Sequence, residues 1–367
     1  MKVSIITYHD EDNYGATLQA YTTYRAVKEL GHTPEIINLH MRHKDSLPSK
    51  ILFALKRHRF NSFRKRYMPN KTRVYTSVDE LRNEPPSSDV YLVGSDQTWN
   101  PTISKEYALA YFLDFGKEDQ KRVSYASSFG VSSWVDTDVA KKDKVGELLS
   151  RFSSILVRED KAVEICKNEF GLESKQVVDP VLLFPSYPEL TGQIKQTNDI
   201  VIYKILNDPE FYKRAVELGH HFGCDVRSIG SMRRPKGIKT AYPERIEKWI
   251  SNIAGAKYVF TDSFHGTVLS LLYQRQFVVY VGDKRKMSRI TSLLGLVGLT
   301  DRIFSNEDSL NSIAEKLSSP IDFSHVDEIL NNQRVLAFEY LKKAIGERNT
   351  LKNSDVGLLN GGGIKDI

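Results

Sequence analysis

Short apolar runs alternate along this chain with longer stretches whose apolar residues recur every three to four positions, the pattern of strands followed by helices. Val3 to Thr7 reads as a strand, Thr17 to Leu30 as a helix stopped by Gly31, and Glu35 to Leu39 as a second strand. This β-α-β opening predicts a parallel sheet with a ligand crevice at its first loop. Strands are expected again at Val90 to Gly94, Arg122 to Ala126, Ser154 to Asp160 and Gln176 to Pro180, with helices at Asp79 to Arg82, Val139 to Phe152 and Lys161 to Phe170. The stretch from Phe184 to Asn198, with Pro185 and Pro188 and few apolar residues, interrupts the pattern and predicts a boundary. A second series follows: strands at Asp199 to Leu206, Asp225 to Ile229, Tyr258 to Phe260 and Gln276 to Gly282, and helices at Pro209 to Phe222, Pro243 to Ile253 and Val326 to Arg348. The expected organisation is an N-terminal α/β domain over 1–184, a C-terminal α/β domain over 185–324, a helix packing back over 325–350, and a Gly-rich, disordered tail over 351–367. Two Rossmann-like halves facing across a cleft describe a GT-B-like arrangement.

Polar residues gather where strands end. After Tyr258 to Phe260 come Asp262, Ser263, His265, Gly266 and Thr267, at the edge of an open α/β sheet where ligands bind. The first amides of the following helix favour an anion, Gly266 permits close approach, and His265 can gain or lose a proton near neutral pH. Asp262 or Ser263 capping the helix, with His265 bonding a neighbour, explains the same residues without chemistry. Gly94, Ser95, Asp96, Gln97, Trp99 and Asn100 follow another strand and offer a sugar-facing set, or a braced loop. Arg158 lies past a further strand end, as an anion fork or half of an ion pair with Glu159 or Asp160. Lys284, Arg285 and Arg289 lie beyond the strand beside the one that carries His265, where they could clamp phosphate or carboxylate. Asn13 and Gly15 tolerate the backbone of the first loop, which has neither G-x-G-x-x-G nor a Walker lysine. Asp10, Glu11 and Asp12 could hold a divalent metal through oxygen ligands or be solvated loop acids.

Length and composition leave an ordinary globular protein: 367 residues, 40% hydrophobic and 27% charged, without an apolar run long enough to span a bilayer, and Met1-Lys2 leading into the strand VSIIT reads as a strand start rather than a signal peptide. Cys166 and Cys224 are far apart, read as free thiols, and point to the cytoplasm. The net charge of +6 is concentrated in residues 42–73, where eleven Lys and Arg face only Asp45 and are interleaved with Ile51, Leu52, Phe53, Leu55, Phe60 and Phe63. Such a stretch can rest on an anionic membrane at the inner face of the cell, hold an acidic glycan, or dock its apolar side on the domain with its charges solvated. No nucleic-acid fold accompanies it.

Seven segments in order resemble the polysaccharide pyruvyl transferase family: NYGATLQAY from Asn13, GSDQTWNP from Gly94, YASSFG from Tyr125, VRED from Val157, VVDPVLL from Val177, TDSFHGTVLSLLYQRQFVVY from Thr261 and SRITSLLGLVGLTDRI from Ser288. The resemblance implies a bacterial GT-B-like enzyme. It would take phosphoenolpyruvate and install pyruvate as a cyclic ketal on two hydroxyls of a sugar, in a surface polysaccharide or its lipid-linked precursor. The family histidine falls on His265 and the arginine of its middle motif on Arg158. Some members carry an arginine two residues before that histidine, where this chain has Ser263. The expected roles are His265 as general acid, with Asp262 orienting its ring or competing for the role. Arg158, Arg289, Arg285 and Lys284 bind the donor with Ser263 and the amides of Gly266 and Thr267, and Asn13, Tyr14, Gly15, Gly94, Ser95, Asp96, Gln97, Trp99 and Asn100 lie on the acceptor side. No cofactor or metal is expected, phosphoenolpyruvate being a co-substrate. A nucleotide-sugar glycosyltransferase suits the same cleft, and a non-catalytic protein that binds anionic surfaces suits the basic stretch.

Overall fold

A computed structural model of the chain describes residues 1–40, 50–205, 208–231, 235–281 and 287–346. Strands β1 (Lys2–Ile6), β2 (Thr33–Leu39), β3 (Lys71–Tyr75), β4 (Val90–Val93) and β5 (Lys121–Ser124) form a parallel sheet in the order β3-β2-β1-β4-β5. Two-residue strands β6 (Leu156–Val157) and β7 (Lys175–Gln176) pair with each other, and single bridges join Ser154 to Val123 and Val157 to Ser127 beside β5. Strands β8 (Asp199–Tyr203), β9 (Asp225–Ile229), β10 (Lys239–Ala241), β11 (Tyr258–Thr261), β12 (Gln276–Val281) and β13 (Ile303–Ser305) form a second parallel sheet in the order β10-β9-β8-β11-β12-β13. In each sheet the strand order reverses beside the first strand, between β1 and β4 and between β8 and β11, the switch point at which such sheets bind ligands.

Most expected elements are present with ends shifted by a few residues. The first helix covers Tyr14–Glu29 rather than starting at Thr17, because the Asn13 side chain accepts the Ala16 amide and caps it earlier. Strands β3, β10 and β13 were not expected; they are short, and β3 is hidden in sequence by the surrounding cations. The basic stretch contains helix Lys50–Tyr67, which lays Phe60 and Phe63 into the core and buries Arg64 against Asp12 and the Glu11 carbonyl. Residues 41–49 and the tail 351–367 lie outside the described residues.

The two sheets share one hydrophobic core. Tyr14 and Leu18 of the first helix, Val181 to Leu183, Trp249, Val268 and Leu269, and Leu330 and Leu341 of helix Phe323–Ile345 belong to a single buried cluster. In helix Phe323–Ile345, Arg334 Nε donates to the Leu182 carbonyl, and Lys121 Nζ donates to the carbonyl of Ile345. Among the described residues no helix is long and apolar enough to cross a membrane.

Candidate active site

The helix Phe264–Leu272 starts immediately beyond β11, and its second residue, His265, points across to the first sheet. Its imidazole is 6% exposed and its Nε2 lies 3.9 Å from Asp179 Oδ2. The other edge of the ring rests on Gly15, where a Cβ would stand 2.2 Å from Nδ1. A side chain of any size at position 15 would occupy the space of the ring, so this glycine is needed for contact rather than for an unusual backbone angle.

Asp179, at the entry to the short helix Pro180–Leu183, collects three donors. Oδ2 accepts from Arg158 Nη1 at 2.8 Å and Ser95 Oγ at 3.2 Å, and Oδ1 from the Val181 amide at 3.0 Å. Arg158, beyond β6, donates Nη2 to Asp96 Oδ1 at 3.2 Å, while Arg289 Nη1 lies 3.9 Å from the same oxygen. The Phe264 ring packs under both guanidiniums, 4.4 Å from Arg158 and 5.8 Å from Arg289. Behind them, Gln19 Oε1 accepts the Ser95 amide and its Nε2 donates to Thr7 Oγ1, tying the ends of β1 and β4 together.

Charge in this cluster is closely balanced. Burial raises the Asp96 carboxyl, but Arg158, His265 and Arg289 more than offset it, and its net shift is downward. Burial is also the largest influence on His265 and pushes its pKa down; Arg158 and Arg289 add to this, and Asp179 and Asp96 oppose it. The downward direction favours the neutral form of the imidazole. Three buried atoms here have no hydrogen-bond partner: His265 Nε2, Arg158 Nε and Glu159 Oε2. Arg158 Nε and Glu159 Oε2 face each other at 4.0 Å, whereas His265 Nε2, 3.9 Å from Asp179 Oδ2, is the unpaired atom that a polar ligand could satisfy.

Several expectations need correction. Asp262 does not orient His265: Lys204 Nζ bonds it at 2.6 Å and the Ile205 amide at 3.0 Å, leaving Asp179 as the carboxylate facing the ring. Arg158 is held by Asp96 and Asp179, which occupy the fork expected to take the donor, and of the two expected ion-pair partners it faces Glu159, Nε to Oε2 at 4.0 Å. The Ser263 side chain accepts the Gly266 amide, and both the amide and hydroxyl of Thr267 bond the Ser263 carbonyl. These three residues build the helix start. Trp99 is fully buried, stacks on Phe112 and donates Nε1 to the Tyr111 carbonyl, so it cannot stack on a sugar. Asn100 caps Pro101–Ser104, and Tyr14 stacks on Trp249 while its hydroxyl bonds the Glu244 backbone across the interface. Gly94 and Ser95 pack beneath Tyr125 and Asp179, respectively. Asn13, Asp96 and Gln97 remain partly exposed, and the Gln97 side chain lies against Gly130 and accepts from Asn100. Lys284 and Arg285 lie outside the described residues. Arg289, with a side chain 25% exposed and, among the described residues, a long contact to Asp96 as its ion pair, is the described cation best placed for an external anion.

Sequence reasoning missed Asp179 and Gln19. Asp179 ends a run of apolar residues just before Pro180, a charged group at a strand exit, and that signal was available. Among the described residues no three His, Cys, Asp or Glu side chains are grouped to hold a metal; Asp10 faces His40 and Asp12 faces Arg57 and Arg64.

The sequence profile of the polysaccharide pyruvyl transferases matches residues 13–283. The chain belongs to this family. No curated protein matches it. Solved structures resemble it at low identity. Arabidopsis thaliana UGT89C1 with UDP superposes with a TM-score of 0.55 at 10% identity, over 94% of this chain and 99% of the other. The glycotransferase of kitacinnamycin gives 0.52 at 12% identity, over 94% and 99%. A mutant O-GlcNAc transferase of Thermobaculum terrenum gives 0.51 at 10%, over 94% of this chain and 66% of that one. At such identities the likeness establishes the GT-B fold of this family member and nothing of its substrates.

Proposed function

We propose that the cleft transfers the pyruvyl group of phosphoenolpyruvate to two hydroxyls of a saccharide, free or on a lipid carrier, forming a cyclic ketal and releasing phosphate. The observation that carries this reading is the buried, unpartnered Nε2 of His265 facing Asp179 beside Arg289, at the switch points of both sheets. Family membership supports the reaction class.

The chemistry adds a proton to the donor methylene carbon, bonds a first sugar oxygen to the adjacent carbon, then bonds a second oxygen there as the C–O bond to phosphate breaks. Of the two hydroxyl protons, one restores the acid that protonated the methylene carbon and the other leaves with the phosphate. In this reading His265 delivers the first proton and takes up one released later, with Asp179 stabilising its cationic form. The anionic donor favours protonation of the ring, because added negative charge raises an imidazole pKa. Arg289 binds the donor, assisted by Lys284 and Arg285, while Arg158 holds Asp96 and Asp179 in place. The cationic side chains supply the neutralisation of phosphate, so activity is expected to persist in a chelator; loss restored by Mg²⁺ would contradict this.

The direct test incubates the protein with phosphoenolpyruvate and a panel of synthetic or lipid-linked glycosides, following phosphate and product mass. Ketal product is expected, and His265→Gln is expected to bind donor but turn over about 10²–10⁴-fold more slowly. Thermal stabilisation by UDP or GDP but not by phosphoenolpyruvate would transfer the cleft to a nucleotide-sugar glycosyltransferase.

A further inference from the structure

Helix Lys50–Tyr67 contains seven Lys and Arg and no acid. Its inner side is fully engaged. Phe60 meets Tyr14, Arg64 clamps the loop after β1, Lys56 lies over the Phe60 and Tyr242 rings, and Arg59 Nη1 donates to the Pro243 carbonyl beyond β10. The helix thus lies along the ligand-binding edge of both sheets and joins them. Its outer side carries Arg57, His58, Lys65 and Arg66, all exposed. At its N-terminal end Phe53 and Leu55 stand 44% and 39% exposed, beside Ala54.

From this arrangement we infer that the helix seats the protein on an anionic lipid surface, with Phe53 and Leu55 entering the headgroup boundary and Lys65 and Arg66 facing the acidic headgroups. Two features select a bilayer over other anions. Exposed aliphatic and aromatic side chains grouped at the tip of a cationic helix gain from burial in hydrocarbon, which neither a soluble glycan nor a phosphate offers. The helix carries no acid, and although Arg57 is shared with Asp12 at 3.4 Å, Lys65 and Arg66 stand exposed on its outer side, complementary to an anionic plane. The inference stands apart from the reaction assigned to the cleft. Joined to it, it places the cleft edge at the membrane, within reach of a lipid-carried acceptor.

The test is co-sedimentation of the full chain with vesicles of phosphatidylcholine containing about one third phosphatidylglycerol, and with pure phosphatidylcholine, at low salt. Binding to the anionic vesicles only is expected, released by about 0.5 M salt. Phe53→Asp combined with Leu55→Asp should weaken it at least about tenfold, and Lys65→Glu with Arg66→Glu similarly, at unchanged melting temperature. Phe53→Trp gives a second readout, since the emission it adds to that of the wild type should be quenched by lipids brominated on the acyl chain. Absence of binding to anionic vesicles, equal binding by wild type and the Phe53/Leu55 double variant, or added emission from Phe53→Trp that stays unquenched would overturn the inference. So would tighter binding to an oligonucleotide than to vesicles. Phosphate release on a soluble glycoside reports the cleft reaction separately, so failure of either idea leaves the other legible.

Discussion

Gly15→Ala tests whether the position of His265 sets the rate. Residue 15 is the second position of a capped helix and its φ is ordinary, so alanine suits the backbone and by intrinsic preference adds about 1 kcal/mol of stability. The new methyl, however, would stand 2.2 Å from Nδ1 and 2.6 Å from Cγ of the imidazole. Ordinary contact begins near 3.4 Å, so 3.4 − 2.2 leaves a deficit of 1.2 Å that ring or helix must relieve. The helix is fixed by Asn13 and by Tyr14 on Trp249, so the ring is the part that moves. Overpacking of this kind costs about 1–3 kcal/mol, which the helix preference partly offsets, and the net loss of stability is expected at about 0–2 kcal/mol. Displacing a reacting group by about 1 Å costs on the order of 10²-fold in rate. Steady-state phosphate release should therefore fall about 10²-fold while calorimetric donor affinity changes little. Gly146→Ala is the matched control: it is also helical, its Cβ would meet only Phe170 at 3.5 Å, and it should leave turnover unchanged. A Gly15→Ala protein that turns over like wild type would show that the ring sits elsewhere or does no chemistry.

Three further outcomes are expected. Asp262→Asn leaves the buried Lys204 ammonium with only the longer contact to Asp208 at 4.0 Å and should cost up to about 3–5 kcal/mol in denaturant unfolding, while lowering turnover per folded molecule less than Asp179→Asn; the reverse order would return Asp262 to the catalytic role. Donor binding to wild type should take up a proton near pH 7, read by calorimetry in buffers of different ionisation enthalpy, and His265→Gln should abolish that uptake. Burial pushes Glu244 up to about 7, so its folded pKa exceeds its unfolded one, and stability present below about pH 4.5 is lost as pH rises through 7. Glu244→Gln should raise the melting temperature at pH 8, by an effect on the order of 3 kcal/mol, and barely change it at pH 4; equal effects at both would refute the titration argument.

The alternation of strands and helices, the two-part α/β plan and the histidine at a strand end were legible because each is written in local periodicity or in one polar cluster next to an apolar run. Partner choice was not. Asp262 adjoins the histidine in sequence, yet its carboxylate is taken by Lys204, 58 residues away; Asp179 lies 86 residues before His265 and faces it. Aromatic residues in polar motifs misled in the same way. Trp99 and Tyr14 sit among hydrogen-bonding residues but serve packing, because a buried indole or phenol needs only one backbone partner to be satisfied. Strands β6 and β7 were overestimated since their apolar runs continue past the sheet into the loops that present Arg158 and Asp179.

One cluster of side chains fills the space between the two sheets and contains residues from the first helix to the last. Neither Rossmann-like unit can be unfolded without stripping apolar surface from the other, so heat should melt them in a single calorimetric transition, and either fragment expressed alone should expose a sticky face and precipitate.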